Sequence, residues 1–172
     1  MSSNRKWDER FIRLAKTIAG WSKDPSSQIG AVIVGPDNEI RTTGFNGPPR
    51  GVRDDIPERW ERPLKYQFCA HAEENAIVNA ARVGVPVLGC TIFVSGLPPC
   101  APCARMVINA GIKRMVVSTL DIPERWKESI EPALEMLKEA DVIVWEEKPV
   151  IDVRSDIHIG DILNAPATKG RE

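Results

Sequence analysis

The chain has 172 residues, 42% hydrophobic and 27% charged, with 12 Gly and 14 Pro and a net charge of −1. That size fits one ordinary domain and excludes collagen-like and disordered classes. No apolar run is long enough to span a membrane, the polar start 1–10 does not read as a secretory signal, and the balanced charge argues against a long nucleic acid as partner.

The elements follow in chain order. Residues 7–21 carry Trp7, Phe11, Leu14, Ala15, Ile18 and Ala19 at near-helical spacing, which predicts an amphipathic helix broken by Asp24-Pro25-Ser26-Ser27. The run 29–34 is short, apolar and rich in β-branched residues, so it is expected as a buried strand. Gly35-Pro36-Asp37-Asn38 is turn chemistry, and 39–45 completes an antiparallel hairpin. Pro48, Pro49, Pro57 and Pro63 exclude regular structure from 46–63, and a loop of that length is usually functional.

Helical spacing returns over 70–83, with Gly84 as its stop. Strand 91–94, helix 100–110 stopped by Gly111, strand 114–118, helix 122–140 and strand 141–145 follow. Asp121 is expected to cap that last helix, with Pro123 in its first turn. The hexapeptide 55–60 recurs letter for letter at 121–126; unmatched flanks argue for a shared helix-start signal rather than a duplication. The expected fold is α/β: a three-layer α/β/α sandwich around a mixed five-stranded sheet. Residues 1–146 are expected to form the domain, and 147–172, polar and without clear period, a C-terminal arm or tail that packs on a partner subunit.

Four cysteines are far too few for a disulfide scaffold, and without a leader a reducing cytoplasm is the expected location. His71-Ala72-Glu73 opens one predicted helix, and Pro99-Cys100-Ala101-Pro102-Cys103 opens another. H-x-E followed by P-C-x-x-C is the signature of zinc deaminases. Zinc takes tetrahedral S and N ligands, and a catalytic site keeps three protein ligands plus water. His71, Cys100 and Cys103 are therefore the candidate ligands of one Zn2+ per chain. A helix start favours thiolate at both cysteines. Zinc would lower the pKa of its water, and Glu73 would take the water proton and pass it to the substrate. Alone, the C-x-x-C pair could be a redox motif. A closed structural zinc site would need Cys69 or Cys90 as a fourth ligand, and Cys90 reads better as a core thiol.

The sequence resembles the deoxycytidylate deaminases of the cytidine deaminase superfamily over about 7–145. Three segments carry the resemblance: 22–31 (SKDPSSQIGA), 44–51 (GFNGPPRG), and the two zinc motifs with Glu74-Asn75-Ala76-Ile77. The first two separate this family from cytidine deaminases and tRNA adenosine deaminases, which share the zinc motifs. The resemblance implies a cytidine deaminase-like fold and hydrolysis of dCMP to dUMP and ammonia. It implies zinc ligation by His71, Cys100 and Cys103, proton transfer by Glu73, and a sugar contact from Asn46. It also implies a homo-oligomer, dimer or hexamer, with dCTP and dTTP as effectors at the loop holding Gly44, Gly47 and Gly51. Glu74 stands where familiar members carry an aliphatic residue, and 62–70 matches only in part.

A monophosphate needs cationic or amide donors, for which Lys23, Ser26, Arg50, Arg53 and Lys65 are candidates. Ala72 and Tyr66 are further candidate substrate contacts. Phe45 is expected in the core, whereas Tyr66 and Phe68 could stack on a base or pack inside. Three alternatives stay open on residues alone: the same chemistry on another aminated base, nucleoside or nucleotide; RNA editing, which needs a basic face; and a non-catalytic zinc-stabilised module.

Overall fold

A computed structural model describes residues 2–147 of the chain. The elements are α1 (Ser2–Ala19), β1 (Gly30–Val34), β2 (Ile40–Phe45), a 3-10 turn (Pro57–Trp60), α2 (Lys65–Phe68) and α3 (Ala72–Val83). They continue as β3 (Thr91–Val94), α4 (Ala101–Asn109), β4 (Arg114–Val117), α5 (Glu124–Glu139) and β5 (Ile143–Glu146). One five-stranded sheet runs β2-β1-β3-β4-β5. β1 is antiparallel to both β2 and β3, and β3, β4 and β5 are parallel, as helical connections require.

The two faces of the sheet sort by residue parity. Val32, Val34, Phe93 and Val116 pack against Phe11, Ile12, Ala15 and Ile18 of α1. Ala31, Ile33, Ile92, Val94, Met115 and Val117 pack against α3, α4 and α5 through Ala72, Ala76, Ala104, Val107, Ala133 and Leu137. Both faces of β1 are covered, which is why its sequence is an unbroken apolar run. Each fully buried Val or Ile contributes about 1.5–3 kcal/mol.

α3 carries two candidate site residues, and its seat on β2 is close. A Cβ on Gly44 would fall 2.3 Å from Ala76 N and 2.4 Å from Ala72 O, so only glycine permits this approach. The Asn75 and Asn79 side-chain amides donate to Phe45 O (2.8 Å) and Thr43 O (2.9 Å), and Thr42 Oγ1 donates to Ala76 O (3.1 Å). The two asparagine bonds satisfy β2 carbonyls, and all three fix the start of α3 relative to the sheet. Gly84, at φ 72°, ends α3 with a left-handed cap.

Several boundaries differ from expectation. The first helix ends at Ala19, and Gly20 and Trp21 form the turn after it, bonded to Thr17 O and Ile18 O. The loop 46–63 contains the 3-10 turn, and α2 follows it; neither has enough length to show a period in sequence. Asp121 does not cap α5: Pro123 holds the cap position, and no side chain bonds there. The first copy of the hexapeptide makes only the 3-10 turn, capped at Ile56, so the two copies adopt different structures. Asp141, at φ 54°, belongs to the turn before β5 rather than to the strand. Phe45 is exposed, edge-on to Trp21 at 6.3 Å, because it lies on the face of β2 that α3 leaves uncovered. Glu147 is buried and its N–H donates to Val117 O at 2.9 Å, so it belongs with the sheet. The remainder of the expected tail, 148–172, lies outside the described residues. No helix among the described residues is long and apolar enough to cross a membrane.

Candidate metal centre and adjoining cavity

Two helix starts meet at the candidate site. His71 is the N-cap of α3 and Cys100 the N-cap of α4, with Cys103 in the first turn of α4. Their unpaired amides and dipoles bring positive potential to one point. His71 Nδ1 lies 3.3 Å from Cys100 Sγ and 3.4 Å from Cys103 Sγ, and the three ligand atoms fall within 4.8 Å of one another. A tetrahedral zinc with Zn–S of about 2.3 Å and Zn–N of about 2.0 Å sets N and S about 3.5 Å apart. The donor set and its spacing fit zinc. The Cys100 thiol is pushed down to about 4, first by the Cys103 hydrogen bond and then by His71. His71 is raised to about 9 by its bond to Cys100, and the Cys103 thiol is pushed up by its hydrogen bond with Cys100 and then by burial.

Among the described residues the cluster holds these three donors and neither Cys69 nor Cys90. Cys90 is in the core beside Ile92 and Ile112, and Cys69 lies on the cavity wall. All four cysteines are free thiols. The fourth side of the cluster therefore faces the cavity, as a catalytic site requires and a closed structural site does not.

That cavity, about 180 Å³, is lined by His71, Glu73 and Cys100 at one end. Leu97, Pro98, Trp126 and Ile130 give apolar wall. Glu73 is only 5% exposed, and burial pushes its carboxyl up against the opposing pull of His71. A carboxyl held this way accepts and returns a proton more readily than a solvated one. Glu74 bonds instead with the His71 backbone N–H, at 3.4 Å, and serves the helix start.

The expected substrate contacts divide. Asn46, Lys65, Tyr66 and Ala72 line the cavity. Lys23, Ser26 and Arg50 do not. Lys23 pairs with Asp54 at 2.7 Å, and Arg50 donates to Asn79 Oδ1 at 2.9 Å. Arg53 is paired with Asp55. Gly44 lies beneath α3, Gly51 faces open space at φ 81°, and Gly47 pairs with Ala70 through reciprocal N–H donation at 3.0–3.1 Å. Gly47 thereby anchors the strand of chain leading into His71. Phe68 lies under Arg59 at 4.4 Å, so it packs rather than stacks on a ligand.

Asn46 is committed to the protein. Its Nδ2 donates to Asp24 Oδ2 (2.9 Å) and Ser27 O (2.8 Å), and its Oδ1 accepts from Ile29 N (2.7 Å). Both amide protons are spent, leaving one Oδ1 lone pair for a ligand. Asp24, read in sequence only as part of a helix break, is the centre of this network. Its Oδ1 accepts from Ser26 N, Ser26 Oγ and Ser27 N, and its Oδ2 also meets Lys65 Nζ at 2.6 Å. Lys65 Nζ donates in addition to Ser26 Oγ at 2.7 Å. Burial raises the Asp24 carboxyl, but Lys65 and the serine donors outweigh it, so the net displacement is downward. Arg62, Trp126 and Ile130 were not foreseen as cavity residues. Trp126 lies in the repeated hexapeptide, and nothing in its local sequence marks contact with Tyr66 of α2, sixty residues earlier.

The fold and site define a zinc-dependent deaminase of the cytidine deaminase type. The cytidine and deoxycytidylate deaminase zinc-binding region matches residues 5–119, and the chain belongs to that family. It is 42% identical over 143 residues to an uncharacterized deaminase of the luxG 3' region of Aliivibrio fischeri, covering 81% of this chain and 93% of that protein. It is 43% identical over 117 residues to the deoxycytidylate deaminase of Mus musculus, covering 64% of each. The dCMP deaminase of cyanophage S-TIM5, solved with dCMP and dUMP, superposes with a TM-score of 0.66 at 25% identity, over 84% of this chain and 97% of the phage chain.

Proposed function

We propose that this protein hydrolyses dCMP to dUMP and ammonia. The observation that carries the proposal is the buried Glu73 carboxylate beside a His/Cys/Cys donor set, both opening on one cavity. The deoxycytidylate deaminases among the relatives support dCMP over other aminated rings.

His71, Cys100 and Cys103 would hold the zinc, which would lower the pKa of a bound water toward about 7. Glu73 accepts the water proton and delivers it to ring N3 as oxygen adds at C4. Glu73 then takes the proton of the new C4 hydroxyl and passes it to the amine; the C4–N bond breaks, the C4 oxygen becomes a carbonyl, and ammonia leaves. The Ala72 N–H, without an acceptor inside α3, donates to the ring carbonyl. Leu97, Pro98, Trp126 and Ile130 exclude water from around the base. The remaining Asn46 Oδ1 lone pair receives a sugar hydroxyl.

The same reading carries a homo-oligomer, dimer or hexamer, and dCTP and dTTP as effectors at the 44–51 loop. Exposed Phe45 of that segment and Trp21 beside it support an assembly surface there. Four free thiols suit a reducing cytoplasm.

The test is an ultraviolet assay of zinc-loaded protein with dCMP, run beside deoxycytidine at equal concentration. Loss of dCMP with deoxycytidine largely untouched is the expected result. Intact dCMP, in protein carrying one zinc per chain, refutes the assignment.

A further inference from the structure

The cations that sequence offered for a phosphate are spent elsewhere. Lys23, Arg50 and Arg53 are bonded outside the cavity. Lys65 is inside it, but two of its three donors go to Asp24 and Ser26. An anion at Lys65 would also face the Asp24 carboxylate directly behind the ammonium. Lys65 therefore neutralises Asp24 rather than a ligand.

Among the described residues, one other Lys or Arg side chain lines the cavity. Arg62 is exposed and sits on its wall with Tyr66 and Trp126, so it stands where the cavity meets solvent. Its Nε donates to Tyr66 Oη at 2.8 Å, and its guanidinium carbon lies 5.9 Å from the Tyr66 ring centroid. Tyr66 is in turn edge-on to Trp126 at 6.4 Å. The fork is thus held by one nitrogen against an aromatic pair. Its two terminal nitrogens have no hydrogen-bond or carboxylate partner among the described residues. A guanidinium with both terminal nitrogens available is suited to bidentate capture of a phosphate.

We infer that Arg62, oriented by Tyr66, is the phosphate-binding residue of this cavity and makes it select a nucleoside monophosphate over the nucleoside. This rests on the deaminase reading for the identity of the nucleoside. The anion site itself rests on Arg62 alone. Sequence could not distinguish Arg62 from its neighbours, because only the fold turns α2 and α5 toward each other.

The experiment compares zinc-loaded full-length wild type, Arg62→Gln and Arg62→Lys by calorimetric titration with dUMP, deoxyuridine and inorganic phosphate. It then compares their kcat and KM on dCMP and deoxycytidine. Wild type is expected to prefer dUMP to deoxyuridine. Arg62→Gln should reduce that preference about 10- to 100-fold, the range of a lost charged hydrogen-bond pair. The same loss should appear in KM for dCMP, with Arg62→Lys intermediate because a lysine is a point charge without the fork. Equal dUMP affinity in wild type and folded Arg62→Gln overturns the assignment. So does a wild type that binds neither dUMP in preference to deoxyuridine nor inorganic phosphate. A wild type that binds dUMP through Arg62 yet leaves dCMP intact refutes the deamination proposal and retains the anion site.

Discussion

Lys65→Met tests the network beneath the cavity. The Asp24 side chain is 0% exposed and Lys65 10%, with Nζ 2.6 Å from Oδ2. Removing the lysine leaves a carboxylate that is fully covered in the native structure without its counter-charge. Breaking a buried pair from one side costs about 3–5 kcal/mol, far above the roughly 0–1 kcal/mol of an exposed pair. For a domain of this size each kcal/mol moves the melting temperature by about 2–4 °C. The expected fall is therefore about 6–20 °C in a thermal melt. Asp24→Asn combined with Lys65→Met removes both charges and keeps one acceptor for the Ser26 and Ser27 donors, while its new amide group meets the Asn46 amide, so the double variant should recover part of the loss. The pH dependence has a fixed sign. The Asp24 carboxyl is held below its ordinary value, so its stabilisation is present above the unfolded pKa of about 3.9 and is lost as pH falls through the folded one. The double variant should lack that component of acid destabilisation. A Lys65→Met protein melting within about 2 °C of wild type, or strictly additive single and double effects, would refute the buried-pair account.

Glu73→Gln should retain fold and zinc while kcat falls by about 10²- to 10⁴-fold, measured by steady-state assay beside elemental analysis. Cys100→Ser and Cys103→Ser should lose zinc instead; one zinc per chain after dialysis against a mild chelator would contradict their assignment as ligands. Gly44→Ala puts a Cβ against the backbone of Ala72 and Ala76, so it should cost about 1–3 kcal/mol in a denaturant titration. It should also lower kcat/KM, because the displaced helix carries His71 and Glu73.

Much of this protein was decided locally. The hairpin, β3, β4 and the three long helices after it follow from periodicity, turn residues and glycine stops. The metal centre was equally legible, because its three ligands and Glu73 sit at the starts of two helices in short motifs. Once α3 and α4 form, the ligands need only two helix ends to converge. The short elements were not legible: four residues of 3-10 or α-helix display no period, and they exist because Trp60, Phe68 and Tyr66 find partners in three dimensions. Nor did sequence separate used charges from free ones. Lys23, Arg50, Arg53, Arg62 and Lys65 are alike as letters within loops. Burial against Asp24 turned Lys65 into a strut, partners outside the cavity occupied Lys23, Arg50 and Arg53, and Tyr66 left Arg62 with an open fork. Asn46 shows the same division: its chemistry was visible in sequence, but its three bonds were set by the turn that folds 22–29 against it. Residue type and spacing determine which chemistry is available. Tertiary packing decides which groups remain unsatisfied, and an unsatisfied polar group in a cavity is what a ligand binds.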